Sequence, residues 1–222
     1  MPLVERNDVT PGRRLQAAVI VAHPDDEMLW CGGYILTHPE FHWRIITLCR
    51  ASDPDRAPKF RKVLKRLGAE GEMEDLDDEP EQVPISNELV QKSIVRLLAK
   101  GHYDLVLTHG PWGEYTQHRR HQECCHAVVE LWQSGLINTA LLWSFAYEDG
   151  GRTHLPRVRD DADRRELLTE NVWLEKYRII TDVYGYDADS WEAQTTPREE
   201  GFWCFDSPQT AIARTGLWEQ EL

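Results

Sequence analysis

The sequence predicts an α/β fold: a single Rossmann-like, doubly wound, mostly parallel sheet flanked by helices. Three observations carry that prediction. Near-continuous apolar runs recur at Leu15–Ala22, Trp43–Cys49 and Tyr103–Thr108, as in strands buried on both faces. Segments with apolar residues at helical spacing alternate with these runs, and that alternation implies parallel βαβ units. The 222 residues suffice for one such domain, over 1–222, and are too few for two comfortable ones.

Taken in order, Leu15–Ala22 (LQAAVIVA) is expected to be the first strand. Asp25–Leu36 should follow as a helix in which Gly32 and Gly33 permit close packing against the sheet. Trp43–Cys49 (WRIITLC) reads as the second strand, and Arg56–Leu67 as a helix closed by Gly68, where a C-terminal glycine belongs. A short strand is expected near Gly71–Leu76. Ser86–Lys100 carries Leu89, Val90, Ile94, Leu97 and Leu98 at helical spacing, with Ser86 as N-cap. Tyr103–Thr108 (YDLVLT) reads as a strand, and the loop HGPWGEYTQ leads from it into a helix over His118–Trp132. Thr139–Phe145 (TALLWSF) reads as another strand, 150–163 as a polar loop and Leu167–Ile180 as a helix. In the tail, Trp191, Phe202, Trp203 and Phe205 are expected to pack back onto the domain.

Composition narrows the function. Hydrophobic residues make up 41% and charged residues 28%, which fits a globular chain rather than a disordered one. A formal net charge of −13 argues against nucleic acid and against an anionic membrane surface, since both need Lys and Arg clusters. Much of the acid lies in Glu70–Glu81 and near the C-terminus, where it reads as a solvated face. No apolar run approaches the roughly 20 residues of a membrane span. The start, Met1 to Asp8, lacks the apolar core of a signal peptide, so a cytoplasmic location is expected. Cys31, Cys49, Cys124, Cys125 and Cys204 are odd in number and form no C-x-x-C, so buried free thiols are expected. No partner motif stands out, and a homo-oligomer is expected only on the general frequency of symmetric assemblies. There is no G-x-G-x-x-G after the first strand and no Walker A sequence, which disfavours a dinucleotide or nucleoside triphosphate.

The chemistry gathers where strands end. In doubly wound sheets ligands bind outside the carboxyl ends of the strands, near the point where strand order reverses. The first strand runs into Ala22-His23-Pro24-Asp25-Asp26-Glu27. Carboxylates crowded at a sheet edge repel, and a partly buried set needs a compensating cation. A helix start would explain the carboxylates through the dipole, but not the preceding histidine. His23 and Asp26 can face the same way and leave Asp25 free. The second cluster is His118-Arg119-Arg120-His121, whose histidines share one helical face at i and i+3. It follows a buried strand by one loop, on the same side of the sheet as His23. Zinc suits this histidine and carboxylate mix. A catalytic zinc takes three protein ligands and keeps a fourth position for water, whose pKa it lowers to about 7. His23, Asp26 and His121 supply three ligands. Asp25 remains as base, and His118 as an imidazolium to stabilise an oxyanion or protonate the leaving amine.

These residues resemble the PIG-L/LmbE family of zinc-dependent N-acetylglucosaminyl deacetylases. The likeness rests on AHPDDE at Ala22–Glu27, on Gly32 and Gly33, on GEY in the loop and on the H-x-x-H pair, and covers most of the chain more loosely. It implies an LmbE-like fold, a Zn²⁺ cofactor and a small-molecule amino-sugar substrate. It implies zinc on His23, Asp26 and His121, and Asp25 as general base. His118 would polarise the carbonyl or protonate the leaving group. Tyr115 would contact the tetrahedral intermediate, and Arg56 would bind substrate hydroxyls or shape the pocket. The chain departs from the family in three places. Arg119 and Arg120 fill the interior of the histidine pair, where they are expected to face solvent or else to meet a charged group of the substrate. Tyr115 stands one residue further from His118 than is usual. Lys59 replaces a glutamate, which leaves His118 without an acidic orienting group.

Four further groups have ordinary explanations as well as functional ones. His109 is expected to be a satisfied loop histidine, Asp77 and Asp78 part of the acidic run, and His126 a packing residue. Trp112 fits loop packing as well as sugar stacking. The expected function is removal of an N-acetyl group from an N-acetylglucosamine conjugate. The alternatives are a zinc amidase for another acylated amine and a non-catalytic metal or sugar binder.

Overall fold

The computed structural model describes residues 14–216; Met1 to Asp8 and the acidic residues at the extreme C-terminus lie outside the described residues. A seven-stranded sheet forms the middle layer. Its strands, in chain order, are β1 (Leu15–Val21), β2 (Phe41–Thr47), β3 (Glu70–Met73), β4 (Leu105–Thr108), β5 (Leu142–Phe145), β6 (Arg164–Leu167) and β7 (Glu199–Phe205). Across the sheet they run β6-β7-β5-β4-β1-β2-β3. The five strands from β5 to β3 are parallel, whereas β7 lies antiparallel to β5 and β6 antiparallel to β7.

The helices are α1 (Asp26–Thr37), α2 (Arg56–Leu67), α3 (Asn87–Leu97), α4 (Arg119–Gln133), α5 (Glu170–Arg178), α6 (Trp191–Thr195) and α7 (Pro208–Thr215). A π-helical turn, Ile179–Val183, continues α5. Period-two alternation divides β1 between two cores. Ala17, Val19 and Val21 pack with α1, α2 and the π turn, while Ala18 and Ile20 pack with α3, α4 and α7. That is why β1 reads as an unbroken apolar run: both of its faces are covered.

Most expected elements form with ends shifted by a few residues, and Gly68 closes α2 in the left-handed conformation (φ 63°). The differences fall near the C-terminus. The segment read as the start of a helix at Leu167 is instead the end of edge strand β6, and α5 begins only after Thr169, whose side chain accepts the Val172 N–H. The tail expected merely to pack back forms β7, with Phe202, Trp203 and Phe205 buried. Its Glu-Glu-Gly start hides the strand in the sequence. Glu200 enters the interior because Lys176 meets it at 2.7 Å, both side chains being fully buried, and because two backbone N–H groups donate to it. Trp191 packs back onto Tyr115 while remaining 37% exposed. Gly33 approaches the antiparallel end of the sheet closely, whereas Gly32 faces Met28 and Lys176. A Cβ at Gly33 would strike Leu168, and the Gly33 and Tyr34 N–H groups donate to Glu200 at a kink in α1. All five cysteines are free thiols. Among the described residues no helix is long and apolar enough to cross a membrane.

Candidate metal centre

Strand order reverses beside β1: the chain proceeds outward through β2 and β3 on one side and through β4 and β5 on the other. The loops leaving β1 and β4 therefore part company at their carboxyl ends and leave a crevice between them. His23, Asp25 and Asp26 stand on one loop, and His109, Glu114 and Tyr115 on the other. His118 is the N-cap of α4 rather than part of its first turn, and His121 lies one turn further on.

His23, Asp26 and His121 converge. His23 Nδ1 is 3.1 Å from Asp26 Oδ2 and 3.3 Å from His121 Nε2, and His121 Nε2 is 3.4 Å from Asp26 Oδ2. Donors bound about 2.0–2.1 Å from a tetrahedral zinc stand about 3.3–3.4 Å from one another, so this triangle fits such an ion. The far nitrogens are occupied. His121 Nδ1 donates to Glu114 at 2.5 Å, and His23 Nε2 faces Asp78 Oδ1 at 3.1 Å. Carboxylates on the outer nitrogens keep protons there and turn the inner lone pairs toward the centre. Lone pairs converging in this way could hold a cation; without one, protons on the imidazoles bridge the same atoms. Burial opposes a charge on His23, yet Asp26 and Asp78 outweigh it and hold the imidazole up at about 10. Asp26, although buried, is held well below the usual carboxylate range, chiefly by His121 and His109. The donor set and its surroundings thus fit a divalent ion.

Asp25 takes a left-handed backbone (φ 113°) ahead of α1. That conformation is costly for a residue with a side chain and is concentrated at functional sites. Burial and the neighbouring Asp26 charge raise its carboxyl to about 7, against the pull of Arg56 and Tyr186. Both of those groups hold Oδ2: Arg56 Nη1 donates to it at 3.1 Å, and the Tyr186 hydroxyl makes a shorter bond. Arg56, expected to bind substrate hydroxyls or to shape the pocket, is engaged with Asp25 and also lies over the Tyr186 ring, 4.5 Å from its centroid.

His118 contacts His23 and His121 ring to ring, with centroids 5.1 and 4.3 Å apart. Its Nδ1 is buried without a hydrogen-bond partner. Burial and the two neighbouring histidines lower it to about 3, so the free site holds a neutral imidazole, not the imidazolium expected from the sequence. Tyr115 lies beside it, with ring centroids 5.5 Å apart. The extra residue in this loop is absorbed by Thr116 and Gln117, both left-handed at φ 46° and 50°. A cleft of about 590 Å³ opens here, lined by Tyr115, His118, Arg152, His154 and Trp191 among others. Trp191 packs against Tyr115 with the rings tilted at 55° and their centroids 4.5 Å apart. The Thr116 hydroxyl donates to Asp149 at 2.6 Å and accepts from Arg152 Nε at 3.1 Å, which ties the two cleft loops together.

The structure brings all seven expected site residues into this region and adds others. His109, read as a satisfied loop histidine, is fully buried and stacked on His121 at 3.8 Å. Burial opposes its charge, while Glu114 and Asp26 hold it up at about 9. The Ala22 N–H points at Nε2 at 2.9 Å, so in the neutral form that nitrogen accepts and Nδ1 carries the proton to Glu114. Glu114 is 0% exposed, accepts from His109, His121 and Gly110, and stays ionised at about 2. Asp78 proves to be a partner of His23 rather than part of a solvated run. Tyr186 had no sequence signal beyond its place in a loosely matching segment. The signal available for Glu114 was its position between a strand-end histidine and the histidine pair. Lys59 pairs with Asp55. Arg119 is exposed as expected, whereas Arg120 is buried. Trp112 is 40% exposed and packs edge-on against Trp203.

The sequence model of the family described as GlcNAc-PI de-N-acetylase (PIG-L) matches residues 18–132. An uncharacterized protein of Acanthamoeba polyphaga mimivirus is 24% identical over 166 residues, which are 66% of this chain and 70% of that protein. Among solved structures, the N,N'-diacetylchitobiose deacetylase of Pyrococcus horikoshii superposes with a TM-score of 0.63 at 16% identity, over 86% of this chain and 84% of that one. GalB, the 4-carboxy-2-hydroxymuconate hydratase of Pseudomonas putida, gives 0.61 at 18% identity, over 86% and 95%. At such identities the likeness shows the fold. One fold thus carries a deacetylase and a hydratase, and the chemistry has to be argued from the site.

Proposed function

Because the chain belongs to the GlcNAc-PI de-N-acetylase (PIG-L) family, we propose that it is a zinc-dependent hydrolase removing an acetyl group from the nitrogen of a small amino-sugar conjugate. The observation that carries this reading is the triangle of His23 Nδ1, Asp26 Oδ2 and His121 Nε2, with the strained Asp25 next to it. Those three side chains would hold the zinc. When bound, it supplies a polarised water and a Lewis acid for the amide oxygen.

The chain's own residues supply the proton transfers. Asp25, raised to about 7 by burial and by Asp26, sits where a general base works best near neutral pH. It takes the proton of the attacking water. The water oxygen bonds to the carbonyl carbon, the C–N bond breaks, and Asp25 returns the proton to the departing nitrogen, giving a free amine and acetic acid, which loses its remaining proton to solvent as acetate. Neutral His118 donates an N–H to the oxyanion developing on the carbonyl oxygen. A neutral imidazole is sufficient for that role when its surroundings keep its pKa low. Arg56 and Tyr186 fix Asp25 Oδ2 during these steps. Tyr115 and Trp191 offer ring faces to the sugar in the cleft.

Acetate release from a panel of N-acetylglucosamine conjugates tests the proposal. We expect turnover that chelation abolishes and zinc restores. Asp25→Asn should bind zinc normally and lose about 10²–10⁴-fold in kcat, the usual contribution of general base catalysis. Full activity in that variant would remove Asp25 from its role. A protein that binds zinc stoichiometrically yet deacetylates nothing in the panel would be the non-catalytic binder instead.

A further inference from the structure

We propose that Arg120, standing between the two site histidines, is a positioning residue for the metal centre: it anchors the segment 77–85 so that Asp78 keeps its carboxylate on His23. The inference rests on the zinc reading above. Arg120 lies in the first turn of α4 with its side chain buried, the residue being 3% exposed. Its Nε donates to the Asp77 carbonyl at 2.5 Å, and Nη2 donates to the Val83 carbonyl at 2.8 Å and approaches Asp77 Oδ2 at 3.4 Å. Nη1 donates to Glu123 Oε2 at 2.6 Å, while the other oxygen of Glu123 accepts the Ile85 N–H at 3.0 Å. One guanidinium and one carboxylate on α4 thus tie down both ends of the segment.

The segment has little else of its own to hold it. Among the described residues, one backbone–backbone hydrogen bond closes within 77–84, from the Gln82 N–H to the Glu79 carbonyl at 2.9 Å. Gln82 is left-handed at φ 48°. Asp78, directly after the anchored Asp77, accepts from His23 Nε2 at 3.1 Å and from Gln82 Nε2 at 2.9 Å on one oxygen, and from Arg50 on the other. A carboxylate on the outer nitrogen of a ligating histidine fixes its tautomer and orientation, and its loss usually costs about 10–100-fold in metal affinity. The planar fork of arginine serves two carbonyls and two carboxylates at once, which the single ammonium of lysine cannot. A purely structural Arg120 would instead act as a buried ion pair with Glu123. Its loss would lower stability and leave the metal alone.

Zinc affinity of the full chain, measured by competition with a chromophoric chelator and paired with thermal unfolding of the metal-free protein, separates the two. Asp78→Ala should weaken zinc binding about 10–100-fold. Arg120→Met should weaken it about tenfold, and Arg120→Lys by less. Adding Arg120→Met to Asp78→Ala should weaken it no further, because both act through one carboxylate. Wild-type zinc affinity in Arg120→Met, whatever its melting temperature, overturns the proposal, as does a loss that multiplies with that of Asp78→Ala. If Arg120→Met does not fold, unchanged affinity in Arg120→Lys is the overturning result. Absence of zinc binding by the wild-type chain would instead end the metal-centre reading itself, and this inference with it.

Discussion

Glu27 ends the acidic run after β1 and is the one member that faces fully inward, with one oxygen on the Tyr184 hydroxyl at 2.5 Å and the other on the Asp25 N–H at 3.0 Å. Burial raises its carboxyl from 4.5 to about 8, with the Tyr184 hydroxyl opposing and the Asp25 charge assisting. The folded chain therefore binds this proton more tightly than the unfolded one. The resulting stabilisation is complete below about 4.5 and lost as pH rises through about 8. Denaturant midpoints of metal-free protein between pH 5 and 9 should fall with pH in the wild type and fall less in Glu27→Gln, which cannot ionise. Equal slopes in the two proteins would refute the assignment. At this scale much was legible: His23, Asp26 and His121 announce themselves by type and spacing. His109, Glu114 and Asp78 did not, because a single histidine or carboxylate in a loop has ordinary uses, and only proximity to a second group gives it a role. The protonation of His118 was likewise hidden, since it follows from the histidines around it.

Two elements aim the site. Helix α1 starts from the left-handed Asp25, and the π turn Ile179–Val183 delivers Tyr184 to Glu27 and Tyr186 to Asp25. Such turns insert an extra residue per turn and are frequent at functional sites. Tyr186→Phe removes one of two groups on Asp25 Oδ2 and leaves His23, Asp26 and His121 untouched. We expect kcat to fall about tenfold or more, as slight misplacement of a reacting group does, with zinc affinity unchanged. A drop in zinc affinity of the same size would show that Tyr186 supports the metal centre instead. Helical periodicity revealed α2, α3 and α4, and apolar runs revealed β1, β2 and β4. The π turn was invisible, because an i→i+5 ladder leaves no distinct apolar pattern over so few residues. Strands β6 and β7 were missed because charges interrupt them: Arg164, Arg165 and Glu166 lie on an edge, and Glu200 is buried only with its partner.

Lys176 and Glu200 join parts of the molecule that are far apart in sequence. Lys176 comes from α5 and Glu200 from β7, and Glu200 also caps the two N–H groups at the kink of α1. Removing one partner of a buried pair leaves an uncompensated charge, so Lys176→Met should destabilise the fold by about 3–5 kcal/mol. Adding Glu200→Gln should recover part of that loss, measured by denaturant unfolding. A cost under about 1 kcal/mol for the single change, the range of exposed pairs, would contradict this account. By itself the sequence determined the α/β class, the strands that make up the sheet's middle and the histidines and carboxylates at their ends, because burial and polar side-chain chemistry are written in residue type and local period. Tertiary structure alone decided that β7 and β6 complete the sheet antiparallel, that Arg120 turns inward and that Tyr186 reaches Asp25. Those outcomes depend on long-range pairing of charges, which stabilises only when the partners meet and leaves no trace in either segment alone.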